Sequence, residues 1–332
     1  MEKFHDKSVL VVGAVGTVGL ELVRQLVAAG TGEVVCLDNN ETDLFFLKEQ
    51  YRDVSSVRCH LADIRDAEEL RKRMHGVDVV LHAAALKHVV LCEDSPDQAV
   101  RTNILGTQNV IEAALANNVG RVIFTSSDKA VNPTNVMGTT KLMGERLMTA
   151  ASTRSENTVF ASTRFGNVLG SRGSVVPLFR RQIENGGPIT LTDRDMTRFI
   201  MTVASASSLV LDSVWLANGG EVMVTKMPVA RIEDIAHVMR DVLAGGREIA
   251  IREIGAKPGE KMYEELMNEE EVRRTYEFGD FFVVIPAFAA GGIDDFGYLA
   301  GSPKADRPYH SHAENCLGRE ELRDYLVSQQ VI

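Results

Sequence analysis

An acid and an amine stand side by side near the middle of the chain. Asp128 and Lys129 follow the run RVIFTSS, and two serines, Ser126 and Ser127, directly precede them. The β-branched run predicts a strand, and the loops after the carboxyl ends of parallel strands face ligands. An adjacent carboxyl group and amine could therefore donate and accept protons in catalysis. The alternative interpretation is a surface ion pair on a turn.

A glycine-rich turn near the start of the chain predicts a nucleotide site. Gly13, Gly16 and Gly19 follow the run SVLVV and open a helix. Glycines there permit a tight turn, close approach of a pyrophosphate to backbone N–H groups, and close packing of the helix. Asp38 ends the next predicted strand, where a carboxylate accepts hydrogen bonds from ribose hydroxyls and repels a 2′-phosphate. The pattern favours NAD over NADP.

The predicted cofactor contacts extend beyond this turn. Asp63, after the third strand, either contacts the adenine edge or caps a helix. Three alanines follow the fourth strand, where small side chains let a cofactor lie against the backbone. The remaining predicted cofactor contacts are Thr17, Val18, Asn39, Ile64, Ala83, Ala84, Ala85, Asn103 and Lys141.

Composition limits the class of protein. The chain has 332 residues, 45% of them apolar and 25% charged, with a net charge of −10. The acidic balance argues against a nucleic-acid binder with a basic surface. No apolar run approaches the roughly 20 residues of a membrane span, and the N-terminus lacks the pattern of a secretory signal, so we expect a cytoplasmic location. The four cysteines and the histidines lack metal-ligand spacing, so we expect no metal.

The elements that carry these residues alternate in a regular way. As far as about residue 165, short β-branched runs alternate with helical stretches, which predicts an α/β fold with a doubly wound, parallel, Rossmann-type sheet. Later residues are punctuated by Gly, Pro and Ser, and they predict a smaller C-terminal α/β substrate lobe. We therefore divide the chain into an NAD-binding domain, 1–165, joined by returns of the chain from the second half, and a mainly substrate-binding lobe, 166–332.

Several motifs in this order resemble the extended short-chain dehydrogenase/reductase superfamily. They are the glycine turn, HAAALKHV, Asn103, SSDKAVNP and RFGNVLGSRGSVVPLF. Within that superfamily the chain resembles the bacterial UDP-N-acetylglucosamine 4,6-dehydratases, and DMTRF and KPGEK extend the resemblance over nearly the whole chain. The second half would then be mainly a nucleotide-sugar-binding lobe.

The resemblance implies a lyase that uses NAD within each turnover. The C4 hydroxyl carbon of UDP-N-acetylglucosamine is oxidised, C5 is deprotonated, the C6 hydroxyl leaves as water, and the hydride returns to C6. The product is a UDP-4-keto-6-deoxy amino sugar. By this resemblance Lys129 removes the C5 proton and Asp128 protonates the departing hydroxyl, each with a shifted pKa, while Ser127 stands at the superfamily's hydroxyl position.

One position departs from the superfamily pattern. Most members have a tyrosine four residues before Lys141, whose charge lowers the pKa of the phenol, whereas this chain has Met137. A thioether has no proton to exchange. Either redox activity is lost, or Lys141 through water, Asp128 or Lys129 takes the C4 hydroxyl proton. Several branches of the dehydratases also have methionine here, and Met137 could simply belong to the core of the helix.

The resemblance also implies contacts to the nucleotide sugar. The predicted set is Lys87, Asn167, Arg172, Val176, Arg198 and Glu260. Arginine and backbone N–H groups suit phosphate and sugar oxygens. Relatives often have arginine before Pro258, where this chain has Lys257, which lacks the bidentate fork. For each basic residue the alternative is a solvated surface charge.

Other functions and choices remain open at the level of sequence. A UDP-sugar 4-epimerase uses the same fold and a transient C4 oxidation, but it needs no acid and base at C5 and C6 and normally depends on the missing tyrosine. A non-catalytic NAD-binding regulator is a third possibility.

Asp38 and the segment NPTNVMGTTK favour retention of the C5 configuration, and a nucleotide other than UDP stays possible. Two helices, in GTQNVIEAALANN and GTTKLMGERLMTAA, favour a homodimer or a larger homo-oligomer.

Overall fold

The structure is a computed structural model that describes residues 2–255, 259–289 and 291–332. The strands are β1 (Ser8–Val12), β2 (Glu33–Asp38), β3 (Val57–Leu61), β4 (Val79–His82), β5 (Arg121–Ser127), β6 (Val159–Phe165), β7 (Asn167–Val168), β8 (Ile189–Leu191), β9 (Thr197–Met201), β10 (Val222–Thr225), β11 (Val229–Arg231), β12 (Ile251–Glu253), β13 (Glu265–Met267), β14 (Thr275–Phe278), β15 (Phe281–Val284) and β16 (Tyr309–His310).

Helices of three kinds connect these strands. The α-helices are α1 (Thr17–Ala28), α2 (Glu41–Gln50), α3 (Ala67–Arg73), α4 (Val89–Asp94), α5 (Pro96–Ala99), α6 (Gly106–Ala116), α7 (Val136–Ala151), α8 (Val175–Glu184), α9 (Val203–Leu216), α10 (Ile232–Leu243), α11 (Glu269–Val272) and α12 (Arg319–Ser328). The 3-10 helices are Glu2–Phe4, Asp128–Ala130 and Gly292–Leu299, and a π-helical turn spans Val100–Leu105.

In the described part of the chain, nine strands form one large sheet in the order β14-β15-β10-β6-β5-β4-β1-β2-β3. The seven strands from β10 to β3 are parallel, and β15 pairs antiparallel with β10 and with β14. The predicted doubly wound α/β sheet is therefore confirmed. The strand order reverses between β1 and β4, and a crevice for ligands is expected where it does.

Alternate residues of β1 explain why both faces of the sheet are covered. Val9 and Val11 pack with α1 and α9 on one face, whereas Leu10 and Val12 pack with α6 and α7 on the other. All four side chains are fully buried. A strand that is apolar at every position must be covered on both sides, and this requirement places helices on each face.

The second half of the chain contributes to both parts of the molecule. Strands β10, β14 and β15 belong to the large sheet. The smaller lobe contains three small sheets, β11-β9-β7, β12-β8 and β13-β16, and its own apolar core between α8, α10 and α12. The division at residue 165 stays a prediction.

Candidate functional site

Two glycines allow the backbone of the β1–α1 turn to approach the end of β4, which pairs with β1 in the sheet. Gly13 has φ +85°, and a Cβ there would lie 2.6 Å from the backbone nitrogen of Ala84, just after β4. A Cβ on Gly19 would overlap the carbonyl oxygen of Gly13. A side chain at either position would push the turn away from its neighbours. Glycine at both positions leaves the backbone at this edge of the sheet bare of side chains.

The bare edge forms one wall of a groove of about 280 Å³. Eight of the predicted cofactor residues line it: Gly13, Gly16, Asp38, Asn39, Ile64, Ala83, Ala84 and Ala85. Gly16 directly precedes α1, so the positive end of the helix dipole faces this groove. A backbone-lined groove at a helix N-terminus fits the pyrophosphate of a dinucleotide.

The acid at the end of β2 is held by the backbone. One oxygen of Asp38 accepts from the Val15 N–H at 3.1 Å, and the other accepts from the Asn40 N–H at 3.0 Å. These hydrogen bonds fix the carboxylate at the rim of the groove. Its remaining lone pairs can accept from the ribose hydroxyls of an adenosine, which is the contact expected for NAD.

Some predicted cofactor residues lie outside the groove wall. Val18 packs into the core from α1. Asp63 neither lines the groove nor caps a helix, because Asp66 caps α3. The Asp63 carboxylate instead accepts hydrogen bonds from Arg65 and Asn39, and the bond from Arg65 lowers the pKa of Asp63 to about 2. Asp63 thus acts on the groove through Asn39.

Asn103 lies behind the groove in the π-helical turn and is buried. Its side-chain oxygen accepts from the Leu86 N–H at 2.8 Å, and its amide donates to the Leu86 carbonyl and to Thr140 Oγ1, both at 2.9 Å. Asn103 therefore fixes the segment after β4 against α7. We predict that it supports the cofactor through Leu86, which does line the groove.

A loop between β7 and α8 crosses the cofactor groove. Arg172 lines the groove and pairs with Asp43 of α2 at 2.7 Å, and its N–H donates to Thr17 Oγ1 at 3.3 Å. Lys87 Nζ donates to the Arg172 carbonyl at 2.9 Å. In this arrangement Lys87 and Arg172 join the loop to α1, α2 and the segment after β4. Arg172 thus borders the cofactor groove, Lys87 is linked to it through Arg172, and neither residue lines the cleft described below.

Helix α7 carries Met137 and Lys141 on its buried side. Asn135 caps the helix by accepting from the Gly138 N–H at 2.8 Å. Lys141 Nζ donates to the Thr125 carbonyl of β5 at 2.9 Å and lies 4.6 Å from the centre of the Phe124 ring. Burial lowers the pKa of Lys141 to about 8. Lys141 therefore lies against the last part of β5, two to three residues before Ser127.

Met137 belongs to an apolar cluster. It is 4% exposed and packs with Cys92 and Ala99, with Val89 and Val136 at the edge. The one side chain of this cluster with an S–H, N–H or O–H group is Cys92, whose thiol donates to the Leu86 carbonyl at 3.9 Å. The position that holds a phenol in most of the superfamily here fills space between α4, α5 and α7.

A second cavity of about 230 Å³ opens beside the acid–amine pair. Lys129, Asn167, Arg198 and Glu260, all predicted site residues, line this cleft together with Glu264. Val89 and Val90 of α4 supply an apolar side. With Lys261, which also lines it, the cleft combines three cations with two carboxylates, which is an arrangement suited to a polar, anionic ligand.

Asp128 is fully buried at the end of β5. Its Oδ1 accepts from Ser127 Oγ at 2.7 Å, from the Lys129 N–H at 2.9 Å and from Lys129 Nζ at 3.0 Å. Its Oδ2 has no hydrogen-bond partner among the described residues. One oxygen is therefore fixed by three donors, and the other retains its capacity to take a proton.

Lys129 lies between two carboxylates. Its Nζ is 3.0 Å from Asp128 and 3.4 Å from Glu264 Oε1. Burial alone would lower the pKa of Lys129, but the two carboxylates outweigh burial, and the pKa is raised above its ordinary value. Before ligands bind, Lys129 is an ammonium. A base at this position must first lose a proton. The sequence analysis expects a shifted pKa for Lys129, but the two carboxylates shift it upward, which favours the ammonium form.

Glu264 is the site residue that sequence reasoning missed. It is 4% exposed, its Oε1 lies 3.5 Å from Arg198 Nε, and burial raises the pKa of Glu264. Its place in the segment EKMYEEL, close to the motif KPGEK, was the available signal. The chain separation from Lys129 hid the contact, since only the pairing of β13 with β16 and the packing of this segment beside the 3-10 helix bring the two together.

The other predicted substrate residues have different surroundings. Arg198 is buried, and its guanidinium donates to the carbonyls of Thr197, Lys261 and Met262 while standing 4.0 Å from Glu260. Asn167 lines the cleft with a side-chain oxygen that has no partner among the described residues.

Two further substrate predictions have other outcomes. Val176 does not line the cleft: it is 2% exposed, and it packs with Phe179 and Ile183 in the core of the smaller lobe. It is the second residue of α8, on the face of the helix that packs against α10. The prediction about Lys257 and Pro258 falls outside the described residues.

Solved structures of other proteins share this fold. Pen from Bacillus thuringiensis is 41% identical, and the match covers 99% of each chain with a TM-score of 0.91. DesIV from Streptomyces venezuelae, a dTDP-glucose 4,6-dehydratase solved with NAD and TYD, is 23% identical over 77% of this chain and 86% of that one, with a TM-score of 0.69. The second likeness concerns the fold. The predicted cofactor, NAD, agrees with the NAD bound in that structure.

Curated relatives include proteins of different descriptions. An uncharacterized membrane protein of Methanocaldococcus jannaschii is 44% identical over 97% of this chain and 96% of its own. A UDP-glucose 4-epimerase of Rickettsia rickettsii is 36% identical over 98% and 96%. No helix in the ranges that the structure describes is long and apolar enough to span a bilayer. The model of the polysaccharide biosynthesis protein family matches residues 9–286, and the chain belongs to that family.

Proposed function

We propose that this protein is an NAD-dependent 4,6-dehydratase of UDP-N-acetylglucosamine. The observation that carries the proposal is the cluster of half-buried Lys129 with the buried carboxylates of Asp128 and Glu264, beside a cleft at the end of β5. Asp128 and Lys129 are in direct contact, so an acid and an amine are available at one place. The amine suits removal of a C5 proton, and the acid suits protonation of a C6 hydroxyl. The product would be a UDP-4-keto-6-deoxy amino sugar with the C5 configuration retained.

The groove residues fit NAD. Asp38 would hold the adenosine ribose, the backbone at Gly13 and Gly16 would face the pyrophosphate, and Lys141 would stand at the nicotinamide end, against β5. The bound nicotinamide supplies a hydride acceptor for C4 and a hydride donor for C6.

Asp128 is the best-supported acceptor for the C4 hydroxyl proton. Met137 offers no exchangeable proton, and Lys141 Nζ is turned to the Thr125 carbonyl, whereas Asp128 Oδ2 is free to accept among the described residues. The same carboxylic acid then protonates the C6 hydroxyl, which leaves as water. Asp128 returns to its carboxylate form, so the transfer needs no outside acid.

Arg198 and Asn167 would bind the nucleotide end of the substrate. Both line the cleft, and the buried Arg198 guanidinium lies 4.0 Å from the Glu260 carboxylate. Arginine presents a planar fork that matches a diphosphate. The guanidinium would exchange its carbonyl partners at Lys261 and Met262 for phosphate oxygens. Lys87 and Arg172, which join the loop over the groove, would act on cofactor retention instead.

Proton NMR of the product tests the proposal. Purified protein with NAD and UDP-N-acetylglucosamine should yield a new C6 methyl signal and a C4 ketone or its hydrate. Intact C6 hydroxymethyl signals with inverted C4 would identify an epimerase. A chain that binds NAD and the sugar nucleotide but leaves both signals unchanged would be the non-catalytic regulator.

The second candidate function is 4-epimerisation of a UDP-sugar. The Rickettsia relative carries that description at 36% identity over nearly the full length. UDP-glucose is therefore the second substrate to assay. The apolar surroundings of Met137 weigh against this candidate, because an epimerase of this superfamily normally depends on the tyrosine that Met137 replaces.

A further inference from the structure

The two carboxylates around Lys129 favour its ammonium form, which cannot act as a base. Two carboxylates keep its proton in place, yet a base for C5 must be a neutral amine. Something in the cleft must take the ammonium proton when the substrate excludes water. Asp128 is poorly suited, because its Oδ1 already accepts from three donors and its Oδ2 is assigned above to the hydroxyl protons.

The Glu264 carboxylate lies where it can accept the ammonium proton of Lys129. Its Oε1 is 3.4 Å from Lys129 Nζ, and its Oε2 is buried without a hydrogen-bond partner among the described residues. The backbone holds it in place: the Glu264 N–H donates to Ser311 Oγ at 3.0 Å, and the Ser311 N–H donates to the Glu264 carbonyl at 2.8 Å. Ser311 is itself fully buried.

The charges around Glu264 come from several elements. Lys129 and Asp128 face it from the 3-10 helix after β5, Arg198 from β9, and Lys261 from its own segment. His310, on the neighbouring strand β16, stacks on Tyr263 instead. The net effect of burial and these charges is a raised pKa for Glu264, so its carboxylate binds a proton more readily than an exposed one does.

We propose that Glu264 is a positioning residue that takes the ammonium proton of Lys129 and so converts Lys129 into the base for C5. The inference rests on the proposed dehydration. An N–H bond of the Lys129 ammonium breaks and an O–H bond forms on Glu264, which leaves a neutral amine. The C5–H bond then breaks, and its proton moves to that amine. When Lys129 returns a proton to C5, Glu264 returns its own to Lys129, so no outside acid, oxidant or reductant is consumed.

The proposal predicts a distinct pH signature. A proton shared within the pair belongs to both residues, so its transfer does not require exchange with solvent. C5 exchange in the wild type should therefore be nearly flat between about pH 6 and 9. An amide at 264 cannot accept the proton, and Lys129 would have to lose it to water. The exchange rate of Glu264→Gln should then rise with pH across this range.

The experiment compares Glu264→Gln with the wild type in deuterated water, with NAD and UDP-N-acetylglucosamine. C5 deuteration at pH 7 should fall roughly 100-fold, while C4 oxidation, followed as reduced nicotinamide at 340 nm, should change less than about fivefold. Glu264→Asp keeps the acid and should restore the flat pH profile. Glu265→Gln, the same change at the next residue, should behave as the wild type.

The possible failures are distinguishable. A wild-type protein that gives neither a C6 methyl nor C5 deuterium would overturn the proposed dehydration, whatever the variants do. A dehydrating wild type with a Glu264→Gln variant that slows C4 oxidation and C5 exchange equally at every pH would overturn the role of Glu264 alone. So would a Glu264→Asp variant that shows the rising profile of Glu264→Gln.

Discussion

Met137 fills space where related enzymes place a phenol. Its neighbours in the cluster, Cys92 and Ala99, are apolar and buried, so the thioether contributes packing. We predict that Met137→Leu, a change of similar volume, keeps turnover within about threefold. A steady-state assay of C6 methyl formation measures this. A large loss of C4 oxidation in Met137→Leu, with the fold intact, would instead give the sulfur atom a chemical role.

Lys141 should make the stability of the ligand-free protein depend on alkaline pH. Burial lowers the pKa of Lys141 to about 8, against 10.5 for an unperturbed lysine. Between pH 8 and pH 10.5, Lys141 binds more protons in the unfolded chain than in the folded protein. The free energy of unfolding therefore rises with pH in this range, by about 3 kcal/mol at most from this residue.

Urea unfolding at pH 7.5 and pH 10 measures the Lys141 effect. Lys141→Met lacks the titrating group, so the wild type should gain stability relative to this variant as the pH increases. The same pH dependence in both proteins would contradict the pKa assigned to Lys141.

At the level of single residues, the sequence predicted the positions of the site residues that lie at the ends of strands. Asp128, Lys129 and Asp38 lie where their position after a β-branched run placed them, because the end of a parallel strand fixes the direction of the next residues. Glu264 and the inward turn of Val176 could not be predicted in this way. Both depend on how the smaller lobe packs, and chain position alone does not encode that packing.

At the level of elements, the β1–α1 turn is the most constrained segment of the cofactor groove. Gly13→Ala should reduce NAD affinity at least tenfold, because the new Cβ would lie 2.6 Å from the Ala84 nitrogen in addition to the strain at φ +85°. Gly76→Ala is a matched control, since Gly76 has φ +76° and open space around it.

Calorimetric titration of NAD separates the two effects at these glycines. Gly76→Ala should cost about 1 kcal/mol of stability with unchanged NAD affinity. An equal loss of affinity in both variants would show that general destabilisation, rather than the close approach at Gly13, is responsible.

The elements of the first half were predictable because most of the parallel strands are short runs rich in β-branched and apolar residues, as in β1 and β4. The runs SVLVV and RVIFTSS, for example, correspond to β1 and β5. The π-helical turn that carries Asn103 interrupts what the sequence presents as one helix, and its periodicity gives no sign of the interruption. The very short strands of the smaller lobe likewise lack a period long enough to recognise.

At the level of the whole molecule, a buried ion network joins the large sheet to returning segments of the chain. Arg164 of β6 is 1% exposed and makes paired hydrogen bonds to Glu145 of α7 and Glu271 of α11. Arg164→Met would leave two buried carboxylates without a cation. We predict a loss of about 3–5 kcal/mol in the free energy of unfolding.

Arg154→Met is the control for the buried network. Arg154 pairs with Glu112 at the surface, with both side chains about half exposed, so its removal should cost less than about 1 kcal/mol. Chemical denaturation of both variants measures the difference. Similar losses at 154 and 164 would contradict a special contribution of the buried network.

The measurement that most directly tests the central claim is C5 deuteration by the wild type and by Lys129→Ala in deuterated water. The account predicts a C6 methyl and one deuterium at C5 for the wild type, with no net accumulation of reduced nicotinamide, and no C5 exchange for Lys129→Ala with its NAD affinity retained. Undiminished C5 exchange in Lys129→Ala, or a stoichiometric build-up of reduced nicotinamide in the wild type, would contradict it.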